Sequence, residues 1–208
     1  MTSKNRSFII MLFICLGCAA SPQSLYDSIE SVESNNVANK FSDAVKVDQA
    51  EEISPDDIIE IELGKGNPII ELANGRQYRS FYRLFEFKGS GGSTVSFKIT
   101  TSCKCRSVFR ETIVYPVAYI LDYNGNVLTS DPSEWKRKHD FILTGLSYEG
   151  LWEAKIPEDG TCFLLVAADN SFVGLVLGIN YPLILPDSPE TYILSSPSGK
   201  VTVEMLAN

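Results

Sequence analysis

Residues 160–179 read GTCFLLVAADNSFVGLVLGI, two apolar runs separated by the turn signal ADNS. The runs CFLLVAA (162–168) and FVGLVLGI (172–179) are seven and eight residues long, which is short for a helix and usual for a strand. An apolar run without alternation is typical of a strand that is covered on both faces. We therefore expect both runs to be central, buried strands.

Further candidate strands lie on both sides of this stretch. Turn signals such as PEDG (157–160) and NGN (124–126) separate about eleven of them, from DIIEIEL (57–63) to KVTVEML (200–206). Near-regular spacing without helical patterns in between predicts a mainly β protein, a two-sheet β-sandwich of jelly-roll type. We place this domain at residues 57–208.

The segment before the strands has helical periodicity. From Ser24 to about Val47, apolar residues recur mostly at three-to-five spacing, which predicts an amphipathic helix capped by Ser24. The pair Asn35-Asn36 is a candidate interruption, and the charged stretch DQAEEISPDD (48–57) breaks the pattern. Residues 18–56 are therefore predicted to be a tether with an amphipathic helix that lies against the domain.

The N-terminus carries an export signal. FIIMLFICLGC (8–18) follows Lys4 and Arg6, and no charge occurs from Phe8 to Ala20. These 13 residues are too few for a membrane-spanning helix, which needs about 20. A basic start, a short apolar run and small residues after it describe a secretory signal.

Two kinds of signal fit this stretch. Ordinary cleavage near CAASP (18–22) is one; the other is a bacterial lipoprotein signal, in which Gly17 precedes a Cys18 that becomes the lipid-bearing first residue. We favour the lipoprotein signal, with residues 1–17 cleaved off, although Cys15 stands where such signals usually have Leu. Several acyl chains would hold the protein on the membrane effectively permanently. The residue after the cysteine is Ala19 and not Asp, which by resemblance to enterobacterial lipoproteins favours sorting to the outer membrane. We therefore expect a lipoprotein of the cell envelope that faces the periplasm.

The charge of the chain excludes one class of partner. The formal net charge is -8, and removal of the signal peptide with Lys4 and Arg6 leaves -10. Nucleic-acid binding depends on Lys and Arg that neutralise phosphates, so we expect no nucleic-acid partner. The sequence predicts no cofactor.

Three cysteines remain in the domain: Cys103, Cys105 and Cys162. In an oxidising compartment they are disulfide candidates. Cys103 and Cys105 are on the same face of one strand, where bridging is difficult, so Cys162 is the more plausible partner of one of them. These thiols and the single His139 lack the spacing of a metal site, and no metal is predicted.

No catalytic motif is recognisable, and we predict no catalytic residue. GSGGS (89–93) precedes a strand and lacks the Lys-Ser/Thr of a phosphate loop, so it predicts a hairpin. SEWKRKHD (133–140) is the one basic cluster, either a charged loop or a docking site for an acidic partner. Trp135 and Trp152 are candidates for stacking on sugar rings, although aromatic residues of a sandwich are more often core.

Several strands together resemble one family. The stretches ANGRQYRSFYRLFEF (73–87), TVSFKITTS (94–102), VYPVAYILDYNGNVL (114–128) and YEGLWEAKIPEDGTCFLLVAADNSFVGLVLG (148–178) are similar to the MalM-type family of maltose operon periplasmic proteins and related envelope lipoproteins. The resemblance covers roughly residues 58–182 and implies a periplasm-facing accessory protein linked to maltodextrin uptake. It transfers no functional residue, and this chain lacks the long helical tail of some members.

The residues and the resemblance together predict a lipid-anchored, non-enzymatic accessory or binding protein with a carbohydrate or envelope-protein partner. One alternative is an envelope glycan-acting enzyme, which would need two carboxylates about 5–9.5 Å apart. The other alternative is a protein–protein scaffold without a small-molecule ligand.

Overall fold

The computed structural model describes residues 21–46, 50–73, 76–104, 111–140, 145–180 and 191–207. The predicted signal peptide, the lipidation site Cys18 and the disulfide candidate Cys105 lie outside these ranges. Within them, no helix has both the length and the apolar character needed to cross a membrane.

The described residues form two α-helices, α1 (Pro22–Glu30) and α2 (Phe41–Ala44), and fifteen strands. In chain order the strands are β1 (Val37–Ala38), β2 (Glu51–Glu52), β3 (Ile58–Leu63), β4 (Ile69–Ala73), β5 (Gln77–Gly89), β6 (Thr94–Lys104), β7 (Glu111–Ile113), β8 (Pro116–Leu121), β9 (Val127–Thr129), β10 (Glu134–Asp140), β11 (Gly145–Lys155), β12 (Gly160–Ala168), β13 (Val176–Asn180), β14 (Thr191–Ser195) and β15 (Gly199–Leu206). The protein is mainly β, as the sequence predicts.

Two sheets pack face to face. The larger sheet has the order β1-β4-β5-β12-β8-β9, with β2 beside β5, and the smaller sheet has the order β10-β11-β6-β15-β3. Their facing side chains form the main core, to which the larger sheet contributes Phe85 and Leu164 and the smaller sheet Phe97, Trp152 and Val203. The prediction of a two-sheet β-sandwich is confirmed.

A long two-stranded ribbon folds across both sheets. β5 pairs with β12 in the larger sheet and β6 pairs with β11 in the smaller one, both antiparallel. The pairing continues around the corner, where the Gly92 N–H donates to the Ile156 carbonyl at 2.8 Å and the Ile156 N–H donates to the Ser93 carbonyl at 2.9 Å. A ribbon doubled over two sheets in this way is the winding of a jelly roll.

β12 is the buried central strand that its apolar run predicts. All of residues 162–168 are buried. Alternate side chains enter the main core, as Leu164 and Val166 do, or a second cluster on the outer face of the larger sheet, as Phe163 and Leu165 do. The N-terminal segment covers this outer face, so the strand needs no polar side.

The second apolar run does not form a central strand, and that prediction is wrong. Only its end belongs to a strand, β13, in a separate three-stranded sheet of order β13-β14-β7. Gly174, with φ 75, lies in a turn that interrupts the run before β13 begins. Phe172, Leu175 and Val176 are consequently 41%, 53% and 52% exposed.

The helix predicted from Ser24 to Val47 is shorter and begins earlier. The Ser21 hydroxyl accepts a hydrogen bond from the Ser24 N–H and caps α1, which ends at Glu30. Ser and Asn in the following stretch favour turns over helix, and a 3-10 turn forms at Ser34–Asn36. β1 then pairs with β4, and β2 with β5, so this segment is built into the sandwich and is not a simple tether.

Candidate functional site

A groove of about 430 Å³ lies on the outer face of the larger sheet. Three stretches that are distant in sequence line it: residues 39–42 at α2, residues 71–73 at the end of β4 and residues 124–126 in the β8–β9 turn. Ala44 is buried in the outer-face cluster and Phe41 packs against that cluster, which holds α2 on the sheet. This outer-face groove therefore exists only when the N-terminal segment is docked.

The floor of the groove is aromatic. The rings of Phe41 and Tyr119 contact each other with centroids 4.6 Å apart and planes at 43°. Tyr119 is buried and Phe41 is half-buried, and the buried Leu72 lies beside them. Such a floor offers fixed apolar surface to the less polar face of a ligand.

The rim of the groove is polar and mostly uncharged. Asn39, Lys40, Asn124 and Asn126 line it and are exposed. Each side-chain amide can donate and accept hydrogen bonds, and the ammonium group can donate. The arrangement suits a ligand that carries many hydroxyl groups and little charge.

Asp122 fixes the two asparagines of the β8–β9 turn. One carboxylate oxygen accepts the N–H groups of Asn124 at 2.9 Å and Asn126 at 2.8 Å, and the other accepts the Asn126 side-chain amide at 2.7 Å. Burial opposes ionisation of Asp122, but these hydrogen bonds outweigh it and hold its pKa below the ordinary value. The turn is thus held rigidly at the rim.

Glu71 is the one carboxylate among the described residues that line the groove. It accepts a hydrogen bond from the Gln77 amide, and its other oxygen lies 3.9 Å from the Arg79 Nε. Glycoside hydrolysis generally requires two carboxylates on opposite sides of the substrate bond. The described lining of the groove provides one, and that one is engaged with Arg79.

Behind the floor, tyrosine hydroxyls surround a buried carboxylate. Asp169 is 2% exposed, and its side chain accepts the N–H of Ser171. Burial raises the pKa of Tyr78 and of Tyr119, and the negative charge of Asp169 raises both further. Burial alone raises the pKa of Tyr82. All three phenols therefore stay protonated in the folded protein at pH values where exposed tyrosines ionise.

This cluster predicts a loss of stability at alkaline pH. Because the folded pKa values of Tyr78, Tyr82 and Tyr119 are raised, their contribution is fully present below about pH 10, the unfolded pKa. Above that pH the unfolded state loses phenolic protons that the folded state keeps. Each such tyrosine lowers the free energy of unfolding by about 1.4 kcal/mol per pH unit. Urea titrations between pH 8 and pH 12 measure this slope.

Tyr78→Phe is the matched variant for that titration, because it removes one phenol and keeps the ring. We expect a shallower decline with pH than in the unaltered protein. The part of the tyrosinate absorbance that comes from the buried tyrosines, recorded in the same samples, must rise together with unfolding. Ionisation of all tyrosines near pH 10 in the still-folded protein would contradict the prediction.

The two tryptophans predicted to stack on a ligand lie away from the groove. Trp152 is 1% exposed in the main core, and its Nε1 donates to the Ser130 carbonyl at 3.0 Å. The stacking prediction is wrong for Trp152, because its side chain points between the sheets. Trp135 is half-buried on β10, stacked on Tyr148 with centroids 5.7 Å apart, and its predicted role stays a prediction.

The basic cluster of residues 133–140 forms the strand β10, not a loop. Lys136 is paired with Glu134 at 2.8 Å, and Lys138 with Glu149 at 3.1 Å. The hydrogen bond and charge of Glu134 raise the pKa of Lys136. Arg137 donates to the Leu177 carbonyl at 2.6 Å. Neighbouring carboxylates thus compensate the two lysines, which weakens the case for an acidic partner here.

The predicted pairing of Cys162 with Cys103 or Cys105 is wrong. Cys162 is a buried free thiol, whereas Cys103 is disulfide-bonded to a residue outside the described ranges. Cys162 lies opposite Phe87, near the ribbon corner, and Cys103 lies at the far end of β6. The two sulfurs therefore belong to opposite ends of the sandwich, beyond disulfide reach. Burial raises the pKa of the Cys162 thiol.

The sequence alone does not identify the groove residues. NGN (124–126) predicts a turn, but a turn motif does not show which distant segment it contacts. Phe41 is part of the helical periodicity, which indicates that it packs against the domain but not which surface it meets. Only the docking of residues 39–42 on the sheet brings Phe41 to Tyr119.

No protein-family model matches the chain, and no curated protein matches it. Among solved structures, the chain is similar to the pre-peptidase C-terminal domain of collagenase from Bacillus anthracis. The two share 11% sequence identity, and the match covers 75% of this chain and 93% of that chain, with a TM-score of 0.33. A likeness of this degree carries no argument about function here. The resemblance to the MalM-type family stays a prediction.

Proposed function

We propose that the protein is a non-enzymatic binding module, anchored through lipid on Cys18 to the outer membrane of a bacterial cell envelope and facing the periplasm. Its ligand is a neutral oligosaccharide, for which maltodextrin is the first probe, and it binds in the outer-face groove. The observation that carries this proposal is the aromatic pair Phe41–Tyr119 beneath a rim of side-chain amides.

The chemistry of the groove supports a sugar over other ligands. A sugar ring has an apolar face that packs on an aromatic floor and hydroxyl groups that exchange hydrogen bonds with amides. An anionic ligand would meet the charge of Glu71, and Lys40 is the one cationic residue among the described residues that line the groove, on a chain of formal charge -8. Glu71 alone provides a carboxylate among the described lining residues, which favours binding without hydrolysis.

Asn39→Ala tests the proposal in the full chain. Asn39 is an exposed rim residue, so its truncation leaves the fold intact and removes one set of hydrogen bonds to the sugar. We expect the affinity for maltodextrin to fall about tenfold, equivalent to about 1.4 kcal/mol, measured by isothermal titration calorimetry. Asn36→Ala is the matched control, since Asn36 is an exposed asparagine of the same segment that does not line the groove.

The same experiment separates the alternatives. Absence of heat with maltodextrins, peptidoglycan fragments and related glycans would contradict sugar binding and leave a protein–protein scaffold. Appearance of new reducing ends during the titration would contradict a non-enzymatic role. Equal affinity of Asn39→Ala and Asn36→Ala would place the sugar outside this groove.

A further inference from the structure

Three large apolar side chains are displayed at one end of the sandwich. Phe172, Leu175 and Val176 are 41%, 53% and 52% exposed, and they fall within five consecutive residues that end with the first residue of β13. We name these three side chains the apolar tip. Soluble proteins seldom expose several large apolar groups together unless they contact a partner or a membrane.

Backbone hydrogen bonds hold the apolar tip in a defined conformation. The Leu175 N–H donates to the Phe172 carbonyl at 3.0 Å, and the Ser195 N–H donates to the Leu175 carbonyl at 2.9 Å. The Gly174 N–H donates to the Ser195 carbonyl at 3.0 Å, and the Phe172 ring rests against Tyr115 with centroids 5.6 Å apart. The exposure is therefore built into an ordered turn fixed to β14.

The apolar tip lies at the end of the sandwich where the C-terminal end of α1 is attached. The side-chain amide of Asn170, just before the tip, donates to the Arg79 carbonyl at 2.7 Å. The Arg79 guanidinium donates to the carbonyls of Glu30 at 2.9 Å and Val32 at 2.7 Å. Arg79, near the start of β5, thus joins the tip to the end of α1.

Chain geometry limits how far the anchor can lie from this end. α1 has nine residues, and Cys18 precedes Ser21 by three. At 1.5 Å per helical residue and at most about 3.5 Å per extended residue, Cys18 is within roughly 25 Å of Glu30. A lipid on Cys18 would therefore hold this end of the sandwich close to the bilayer surface.

We propose that the apolar tip inserts into the interfacial region of the bilayer, so that the protein sits on the membrane by this end. The inference rests on the lipid anchor of the proposed function. The expected contact between the apolar tip and the bilayer is apolar and not electrostatic. The nearby cations of β10 are already engaged, because Lys136 and Lys138 are paired with Glu134 and Glu149, and Arg137 is bound to the Leu177 carbonyl. Seating on the membrane should therefore be insensitive to salt, unlike attraction of a basic patch to anionic lipids.

Phe172→Trp provides the test. The lipidated full chain is reconstituted in phosphatidylethanolamine–phosphatidylglycerol vesicles that contain lipids brominated near the headgroup. We expect severalfold stronger quenching of the introduced indole in Phe172→Trp than in Tyr123→Trp, after subtraction of the native tryptophan signal. Tyr123 is 59% exposed and lies just after Leu121, which pairs with Phe163 at the opposite end of β12, so it is the matched control.

A second variant confirms that quenching reports the tip. Leu175→Ser with Val176→Ser, added to Phe172→Trp, should reduce the quenching of the introduced indole, while the far-UV circular dichroism and the flotation with vesicles stay unchanged. Both residues are exposed, so the fold does not depend on their burial. Raising the salt concentration should leave the quenching unaltered.

The outcomes separate the anchor from the tip. Flotation with equal quenching at positions 172 and 123 would overturn the tip inference and leave the anchor intact. Loss of flotation in the full chain would overturn the anchor and the tip inference with it. A concentration-dependent change in the emission of the Phe172→Trp variant in detergent would show that a second copy covers the tip, which also overturns membrane insertion.

Discussion

Trp152→Ala should lower the free energy of unfolding by about 3–5 kcal/mol, a large part of the stability of a domain of this size. The side chain is 1% exposed between the sheets, so truncation leaves a large cavity lined by both of them. It also leaves the Ser130 carbonyl without the indole donor and removes the edge contact with Trp135, whose centroid is 6.0 Å away. Urea unfolding followed by far-UV circular dichroism measures the change.

Trp152→Phe is the control for this variant. It keeps a ring in the core and loses the hydrogen bond to Ser130, so we expect a smaller destabilisation of about 1–2 kcal/mol. If Trp152 were instead exposed and stacked on a ligand, its substitution would affect sugar affinity and not stability. Loss of sugar affinity in Trp152→Ala with stability unchanged would show that the indole is exposed and functional.

Gly125→Ala should both destabilise the protein and disrupt the outer-face groove. Gly125 has φ 82, and a Cβ atom there would lie 2.6 Å from the Ser42 nitrogen and 2.7 Å from its Cα. Alanine in the left-handed backbone conformation lowers the free energy of unfolding by about 1 kcal/mol. The collision of its Cβ with the backbone of Ser42 lowers it by about 1–3 kcal/mol more. Because residues 41–42 must move away, we also expect faster hydrogen exchange in α2 and weaker binding of maltodextrin.

Gly92→Ala isolates the contribution of the backbone conformation. Gly92 has φ 81, nearly that of Gly125, but no atom lies within 4 Å of the position a Cβ would take. We expect Gly92→Ala to lower the free energy of unfolding by only about 1 kcal/mol and to leave sugar binding unchanged. Equal effects of the two substitutions on stability and on affinity would contradict the close contact between the turn and α2.

The sequence predicts those parts of the fold that depend on local pattern. CFLLVAA (162–168) is a buried central strand because an unbroken apolar run needs cover on both faces, and the structure provides it. FVGLVLGI (172–179) is also apolar, but it does not form a central strand, because Gly174 turns the chain away from the two large sheets. Hydrophobicity alone does not determine which surface covers a strand.

The sequence pattern does not predict contacts between segments that are distant in the chain. Whether Cys162 can pair with Cys103 depends on the strand order, which places Cys162 at the other end of the sandwich. The outer-face groove likewise depends on how residues 39–42 meet residues 124–126. Nothing in the sequence of either stretch indicates that it contacts the other.

The position of β15 bears on how the protein is made. This last described strand is an inner strand of the smaller sheet, with β6 on one side and the edge strand β3 on the other, and it pairs Thr202 with Glu60 and with Thr100. Until residues 199–206 have left the ribosome, β3 has no neighbour in that sheet and the main core stays open. Pairing over such sequence distances is slow. Closure of the main core therefore has to wait until residues 199–206 can pair with β3 and β6.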